Sequence, residues 1–218
     1  ISREYGQGAK NNYLLRERSQ YFYQRNSNNT EKSLLKTDQI FVAYNKGSLV
    51  MNSIAELIGK ESLNEGLTNY FKKFAYSDSI FPVSTDLEKY ILEQSPDSLK
   101  LLISDFLRST DVYDMGIDTV SVNKISENQY DIHLQIFGKR ISKRSGFAQN
   151  EEPFRGYVNV AFFDDKMKLI SSENTKVENG KLSKSFIIES APSTIKIDRN
   201  MIYLDNNLEN NIRNFQKP

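Results

Sequence analysis

Apolar positions recur along this chain in two different rhythms, and the change between them falls near residue 113. In the first half they return every three or four residues, the period of a helix with one buried face. Residues 9–26 carry Leu14, Leu15, Tyr21 and Phe22 in a polar background, which predicts an amphipathic helix followed by an Asn-rich loop over residues 26–34. Leu49, Val50, Ile54, Leu57 and Ile58 predict a second helix stopped by Gly59, and Leu63, Leu67, Phe71 and Phe74 predict its hairpin partner. Thr85 and Glu88 have capping-box spacing ahead of the stripe Leu87, Tyr90 and Ile91. Pro96 then precedes a further helix lined by Leu99, Leu102, Ile103, Phe106 and Leu107.

After Tyr113-Asp114-Met115-Gly116 the period falls to two. Tyr130, Ile132, Leu134 and Ile136 alternate with Asp131, His133 and Gln135, and the same alternation runs through Tyr157–Phe163 and Ser185–Glu189. Ser-Glu-Asn, Asp-Asp-Lys and Glu-Asn-Gly-Lys separate these runs with turn chemistry suited to hairpins. The expected fold class is therefore α+β: a lobe of stacked antiparallel helices over residues 1–112, then an antiparallel β-sandwich of about seven strands over 113–218. No internal repeat interrupts that layout.

Composition removes several function classes. Twenty-nine basic and twenty-eight acidic residues are interspersed to a formal charge of +1, so no nucleic-acid surface is expected. Cysteine is absent, which excludes disulfides, thiolate metal sites and a cysteine nucleophile. No run approaches the roughly 20 apolar residues that span a bilayer, and no signal peptide stands at the start, so the chain is expected to be soluble as it stands. Opening at Ile1 on a Tyr-Gly-Gln-Gly turn, it reads as a piece of a longer polypeptide.

The stretch with most chemical promise is FVAYNKGSLVMNSIAELIG, Phe41 to Gly59, in which a Tyr-x-Lys-Gly turn opens an apolar helix. The turn is expected to stay accessible and to present Tyr44, with Gly47 allowing close backbone approach and Ser48 capping the helix. Lys46 beside it is suited to orienting the turn, to meeting a substrate carboxylate, or simply to facing solvent.

This stretch resembles the segment that follows the zinc site in gluzincin aminopeptidases, the leukotriene-hydrolase-like family. Phe81-Pro82-Val83-Ser84-Thr85-Asp86-Leu87, Leu102–Leu107 through Val112-Tyr113-Asp114, and the tail Ile195–Asn200 with Leu204–Asn207 and Asn210-Asn211 resemble one bacterial branch, in which such a module is fused behind an ABC-type transporter permease. The resemblance implies that Tyr44 donates a hydrogen bond to the oxyanion formed when zinc-bound water attacks a peptide carbonyl. It implies zinc in the full-length parent, a peptide substrate, an upstream zinc-binding part of the same polypeptide as partner, membrane transporter subunits as further partners, and a parent associated with the cell membrane.

The family's His-Glu-x-x-His motif and its following glutamate are absent from this sequence. His133 is the one histidine, and its strand setting reads as a solvated surface position. No metal ligand or cofactor is therefore expected in this chain, which alone should be inactive. Two other readings stay open: a non-catalytic peptide- or partner-binding module derived from a peptidase, and a plain structural spacer. Asp164-Asp165 and Asp86-Glu88 are paired carboxylates read as turn and helix-start residues. Lys139-Arg140 and Lys143-Arg144 before Gly146 read as the solvated tip of a hairpin, with contact to an acidic lipid or a partner as the alternative.

Overall fold

The structure is a computed structural model that describes residues 2–28, 30–76, 81–143 and 149–215. It has two compact units, Ile1–Asp111 with Lys143–Ala148, and Val112–Ser142 with Gln149–Pro218. The change of unit at Asp111/Val112 falls a residue ahead of the expected boundary, and Lys143 goes with the helices.

The helical unit contains α1 (Ser2–Ser27), α2 (Gly47–Ile58), α3 (Lys60–Phe74), α4 (Ser84–Glu93) and α5 (Asp97–Arg108), with a 3-10 turn at Leu34–Lys36 and a π-helical turn at Phe41–Lys46. Gly6 breaks the first turns of α1 with φ 81° and ψ 173°, a conformation that only glycine adopts without strain. Leu14, Tyr21, Phe22, Leu49, Val50, Ile54, Leu63, Ile91, Ile103, Phe106 and Leu107 form the apolar core of this unit. Gly59, at φ 87°, ends α2 as expected and donates its N–H to the Ala55 carbonyl.

Two local expectations need correction. The face of α3 runs through Leu63, Gly66, Tyr70 and Phe74, whereas Phe71 is 63% exposed. Gly66 sets that rotation, because only a residue without a side chain lets the helix lie against the backbone of α4 at Tyr90. At the start of α4 the reciprocal pair is Val83 and Asp86, not Thr85 and Glu88: Asp86 Oδ2 accepts the Val83 N–H at 2.9 Å, and the Asp86 N–H donates to the Val83 carbonyl at 2.9 Å. Glu88, one turn further on, is buried instead.

The second unit is built from β1 (Val112–Ser126), β2 (Gln129–Lys143), β3 (Gln149–Pro153), β4 (Gly156–Phe163), β5 (Leu169–Val177), β6 (Lys181–Ile188), β7 (Thr194–Ile197) and β8 (Ile212–Asn214), eight strands among the described residues where about seven were expected. One antiparallel sheet runs β1-β2-β3 with β6 also on β2, and the other runs β5-β4-β7-β8. The period-two runs place Ile132, Leu134 and Ile136 inward on β2, and Val158, Val160 and Phe162 inward on β4. Phe162 and Phe186 meet across the core with ring centroids 5.2 Å apart, and Tyr113, Phe154 and Tyr203 pack edge to face. Asn179 and Gly180, at φ 50° and 72°, make the hairpin turn expected of Glu-Asn-Gly-Lys. Asp164 receives the N–H groups of Lys166 and Lys168, so Asp164-Asp165 is turn chemistry as expected.

Two carboxylates are buried in this unit. Asp198 accepts the Ile202 and Tyr203 N–H groups, each at 3.0 Å, and Asp205 accepts those of Met115 and Asn207 and the Asn211 amide. Burial outweighs these donors and pushes Asp198 up to about 7 and Asp205 up to about 6. The folded chain thus holds these protons more tightly than the unfolded one, so the stability they contribute is full below pH 4 and is lost as pH rises through 6 and 7. Urea unfolding at pH 8 should therefore show a free energy roughly 2–4 kcal/mol lower than at pH 5, and a curve flat over that interval would refute the assignment.

Glycine substitutions separate packing from propensity. A Cβ at Gly66 would lie 2.8 Å from the Tyr90 carbonyl oxygen, so Gly66→Ala should lower the stability of the chain by about 1–3 kcal/mol in thermal or urea unfolding. Gly8 has open space around it, and Gly8→Ala should raise stability by up to about 1 kcal/mol.

Candidate active-site turn

Tyr44 lies on a helix, not on a turn ahead of one. Residues Phe41–Lys46 form a π-helical turn that runs directly into α2. Gly47 is helical at φ −57°, and a Cβ there would meet Leu34 Cδ1 at an ordinary 3.5 Å, so its conformational freedom is not used. Ser48 does not cap α2, because its Oγ donates to the Asn45 carbonyl at 2.9 Å within the continuous helix. The wider turn changes which residues face inward: Phe41, Val42 and Lys46 are buried, while Ala43 and Tyr44 face outward. Tyr44 is 72% exposed, and its hydroxyl has no hydrogen-bond partner among the described residues.

The residues around the turn explain its shape. The Gln39 carbonyl accepts the N–H groups of Val42 and Ala43, and the Gln39 side chain bridges the Lys32 N–H and the Thr30 carbonyl. Asn45 Nδ2 donates to Glu17 Oε2 at 2.6 Å, and Glu17 lies buried on α1. Lys46, 1% exposed, donates from Nζ to Glu31 Oε1 at 3.0 Å and to the Ser109 carbonyl at 2.9 Å.

Glu31 is the centre of this arrangement. Its side chain is fully enclosed, its Oε2 is bound by Arg25 Nη1, and its Oε1 also accepts the Tyr21 hydroxyl at 2.9 Å. Arg25 extends the cluster to the Thr110 carbonyl at 2.7 Å, and Lys143 closes the end of α1 by donating to the Arg25 and Asn28 carbonyls. Burial pulls the Lys46 ammonium below its usual range, with Glu31 opposing it, and burial raises the Tyr21 phenol well above its usual value.

Two sequence expectations are revised by these contacts. Lys46 is neither solvent-facing nor placed to meet a substrate carboxylate, because its ammonium is turned into the core and engaged by Glu31; of the roles expected for it, orienting the turn is the one its contacts match. Of the basic cluster, the structure describes Lys139, Arg140 and Lys143, which lie on β2. Lys139 pairs with Glu151 at 2.8 Å and Lys143 is drawn onto α1, while Arg144 and Gly146 lie outside the described residues. Sequence reasoning missed Glu17, Glu31 and Arg25 altogether, since a charged residue on a mostly polar helix or in the polar loop after it carries no signal of burial.

Elsewhere, Glu88 takes a bidentate hold on Arg108, with N–O distances of 2.7 and 2.6 Å, and also accepts Ser104 Oγ. Burial alone would raise the Glu88 carboxyl, but the Arg108 and Ser104 hydrogen bonds outweigh it and leave it below its usual range. It therefore braces α4 on α5. His133 is half-buried between Ser185 Oγ and Ser183 Oγ, at 3.3 and 3.1 Å, which uses both ring nitrogens. Among the described residues no three His, Cys, Asp or Glu side chains converge as a metal site, and no helix is long and apolar enough to cross a membrane.

Comparison with known proteins bears on the helical unit most. Residues 9–106 match the Peptidase family M1 domain, a segment that contains Glu17, Glu31, Tyr44 and Lys46. The chain is also similar to a leucyl aminopeptidase of Saccharolobus solfataricus, at 25% identity over 171 residues. That alignment covers 76% of this chain and 18% of the relative, so the chain spans less than a fifth of the protein it matches. The two matches support a peptidase-type module.

Removal of the central carboxylate would leave Arg25 and Lys46 buried without their counter-charge. Glu31→Ala should therefore lower stability by about 3–5 kcal/mol in urea unfolding, and Lys46→Met, which leaves Glu31 paired to Arg25, by about 1–3 kcal/mol. Equal, negligible costs would mean that water reaches the cluster.

Proposed function

We propose that this chain is the carboxy-terminal part of a zinc-dependent aminopeptidase-like protein, to which it contributes one wall of the cleft and the transition-state-stabilising Tyr44. The observation that carries this reading is an exposed phenol with an unspent hydroxyl, on an anchored π-helical turn, inside the segment that matches the Peptidase family M1 domain.

The chemistry follows from what a phenol is. When water adds to a peptide carbonyl, the oxygen gains charge that the ground-state carbonyl lacks, and a preorganised O–H donor aimed at that oxygen stabilises the transition state more than the substrate. Tyr44 is a neutral donor, so it can stand in the cleft without a counter-ion. Zinc does not fit the donors of this chain, since its one histidine is taken up by two serines and, among the described residues, no three His, Cys, Asp or Glu side chains gather. Activation of the water therefore falls to residues outside this chain, and the chain alone is expected not to hydrolyse peptides.

Tyr44→Phe provides the test. In the whole polypeptide it should lower the rate of peptide hydrolysis by about a hundredfold or more, the usual cost of one oxyanion donor. In this chain it should change unfolding free energy by no more than about 0.5 kcal/mol, as expected for an exposed side chain. Undiminished hydrolysis with weakened peptide binding would favour the binding-module reading instead, and zinc-dependent hydrolysis by this chain alone would overturn the division of labour.

A further inference from the structure

The turn that carries Tyr44 is held from the side opposite its hydroxyl, and the holding groups are carboxylates. A π-helical turn is an uncommon conformation with poorer internal hydrogen bonding than an α-helix, so something outside it must favour it. Here the two residues that follow Tyr44 are each tied to a different glutamate: Asn45 to Glu17 at 2.6 Å and Lys46 to Glu31 at 3.0 Å. Phe41 and Val42, which precede Tyr44, are locked by burial, Val42 at 0% exposure. Tyr44 is thus the exposed corner, with Ala43, of a turn anchored by the buried Phe41 and Val42 before it and by the glutamate-bound Asn45 and Lys46 after it.

We propose that Glu17 and Glu31 are positioning residues for Tyr44, acting through Asn45 and Lys46 to hold the phenol where a developing oxyanion would meet it. The inference rests on the oxyanion-donor reading of Tyr44 and adds to it the groups that place the donor. Neither glutamate touches substrate. Glu31 is enclosed, and each of its oxygens is already occupied by donors from Tyr21, Arg25 and Lys46, so it is a fixed point with no rotamer to exchange. Lys46 reaches this point with its whole stem buried, and its Nζ has a second anchor in the Ser109 carbonyl. Arg16 also approaches Glu17, at 3.7 Å, but from an exposed position, which leaves Asn45 as the close partner. Oxyanion donors are effective only when their distance is set before the charge appears, and displacement by about an ångström suffices to lose much of the effect.

Two variants test this, Lys46→Met, which keeps the stem and removes the ammonium, and Asn45→Ala, which leaves the buried cluster intact in case the first unfolds. In this chain, amide hydrogen exchange over residues 41–47 should accelerate at least tenfold more than exchange in α3 and α4 in each variant, beyond any general acceleration from lowered stability. In the whole polypeptide, each should lower kcat at least tenfold with KM within twofold, and should add nothing further in a Tyr44→Phe background. Unchanged exchange, or equal losses with and without the Tyr44 hydroxyl, would overturn the positioning role. If Tyr44→Phe reduces the rate while neither variant does, only the positioning role is lost. If Tyr44→Phe itself leaves the rate intact, the oxyanion-donor reading falls and this inference with it.

Discussion

A single enclosed carboxylate organises the helical unit. Glu31 stands in the loop that follows α1, yet it gathers Tyr21 and Arg25 from that helix and Lys46 from the π-helical turn. Through the same two cations it reaches the Ser109 and Thr110 carbonyls beyond α5. A buried carboxylate is costly unless its lone pairs are filled, and buried cations are costly unless paired, so each group here makes the others tolerable. Such a cluster adds little net stability over an apolar core. It restricts the chain to one arrangement, since any shift of α1 or the turn leaves a charge without its partner.

That restriction matters for Tyr44. Exposure alone describes many surface tyrosines, and Tyr13, Tyr23, Tyr76 and Tyr157 are also exposed here. Tyr44 differs in its support, because Phe41 and Val42 before it are buried and Asn45 and Lys46 after it are bound to glutamates, while the phenol projects outward. Rigid backbone beneath a free polar group is the arrangement that electrostatic preorganisation requires. The match of residues 9–106 to the Peptidase family M1 domain covers both the phenol and its supports, so the structural and comparative observations meet in the same segment.

The sandwich shows the same economy in different chemistry. Asp198 and Asp205 are buried as acceptors for backbone N–H groups of the 198–211 loop, whose ladder pairing with β1 is confined to a bridge between Tyr113 and Asp205. Tyr203, between the two, packs on Tyr113 and Phe154 and donates its hydroxyl to the Tyr157 carbonyl at 2.9 Å. An irregular segment is thereby fixed as firmly as a strand, at the expense of two carboxyls whose protons are held near neutral pH.

Much of this was legible in the residue order, for reasons of periodicity. The α+β class, the helix faces built on Ile54 and Ile103, the alternation of β2 and the Asn179-Gly180 hairpin all follow from spacings within one element, where a side chain's environment depends on its near neighbours. Tyr44 was singled out by resemblance alone, since nothing local separates a functional phenol from a packing one, and what the structure adds is its exposure. The rest depended on residues distant in sequence. The burial of Lys46, read from sequence as an orienting, substrate-meeting or solvent-facing lysine, was hidden because its partners lie 15 and 63 residues away, and the rotation of α3 that exposes Phe71 follows from contact between Gly66 and Tyr90. The π-helical turn has no periodic signature of its own, because six residues are too few to set a period. Periodicity reports which face of an element is apolar; where a charge is buried, and against what, is set when separate elements meet, and there the pairing energy overrides the local preference for solvent.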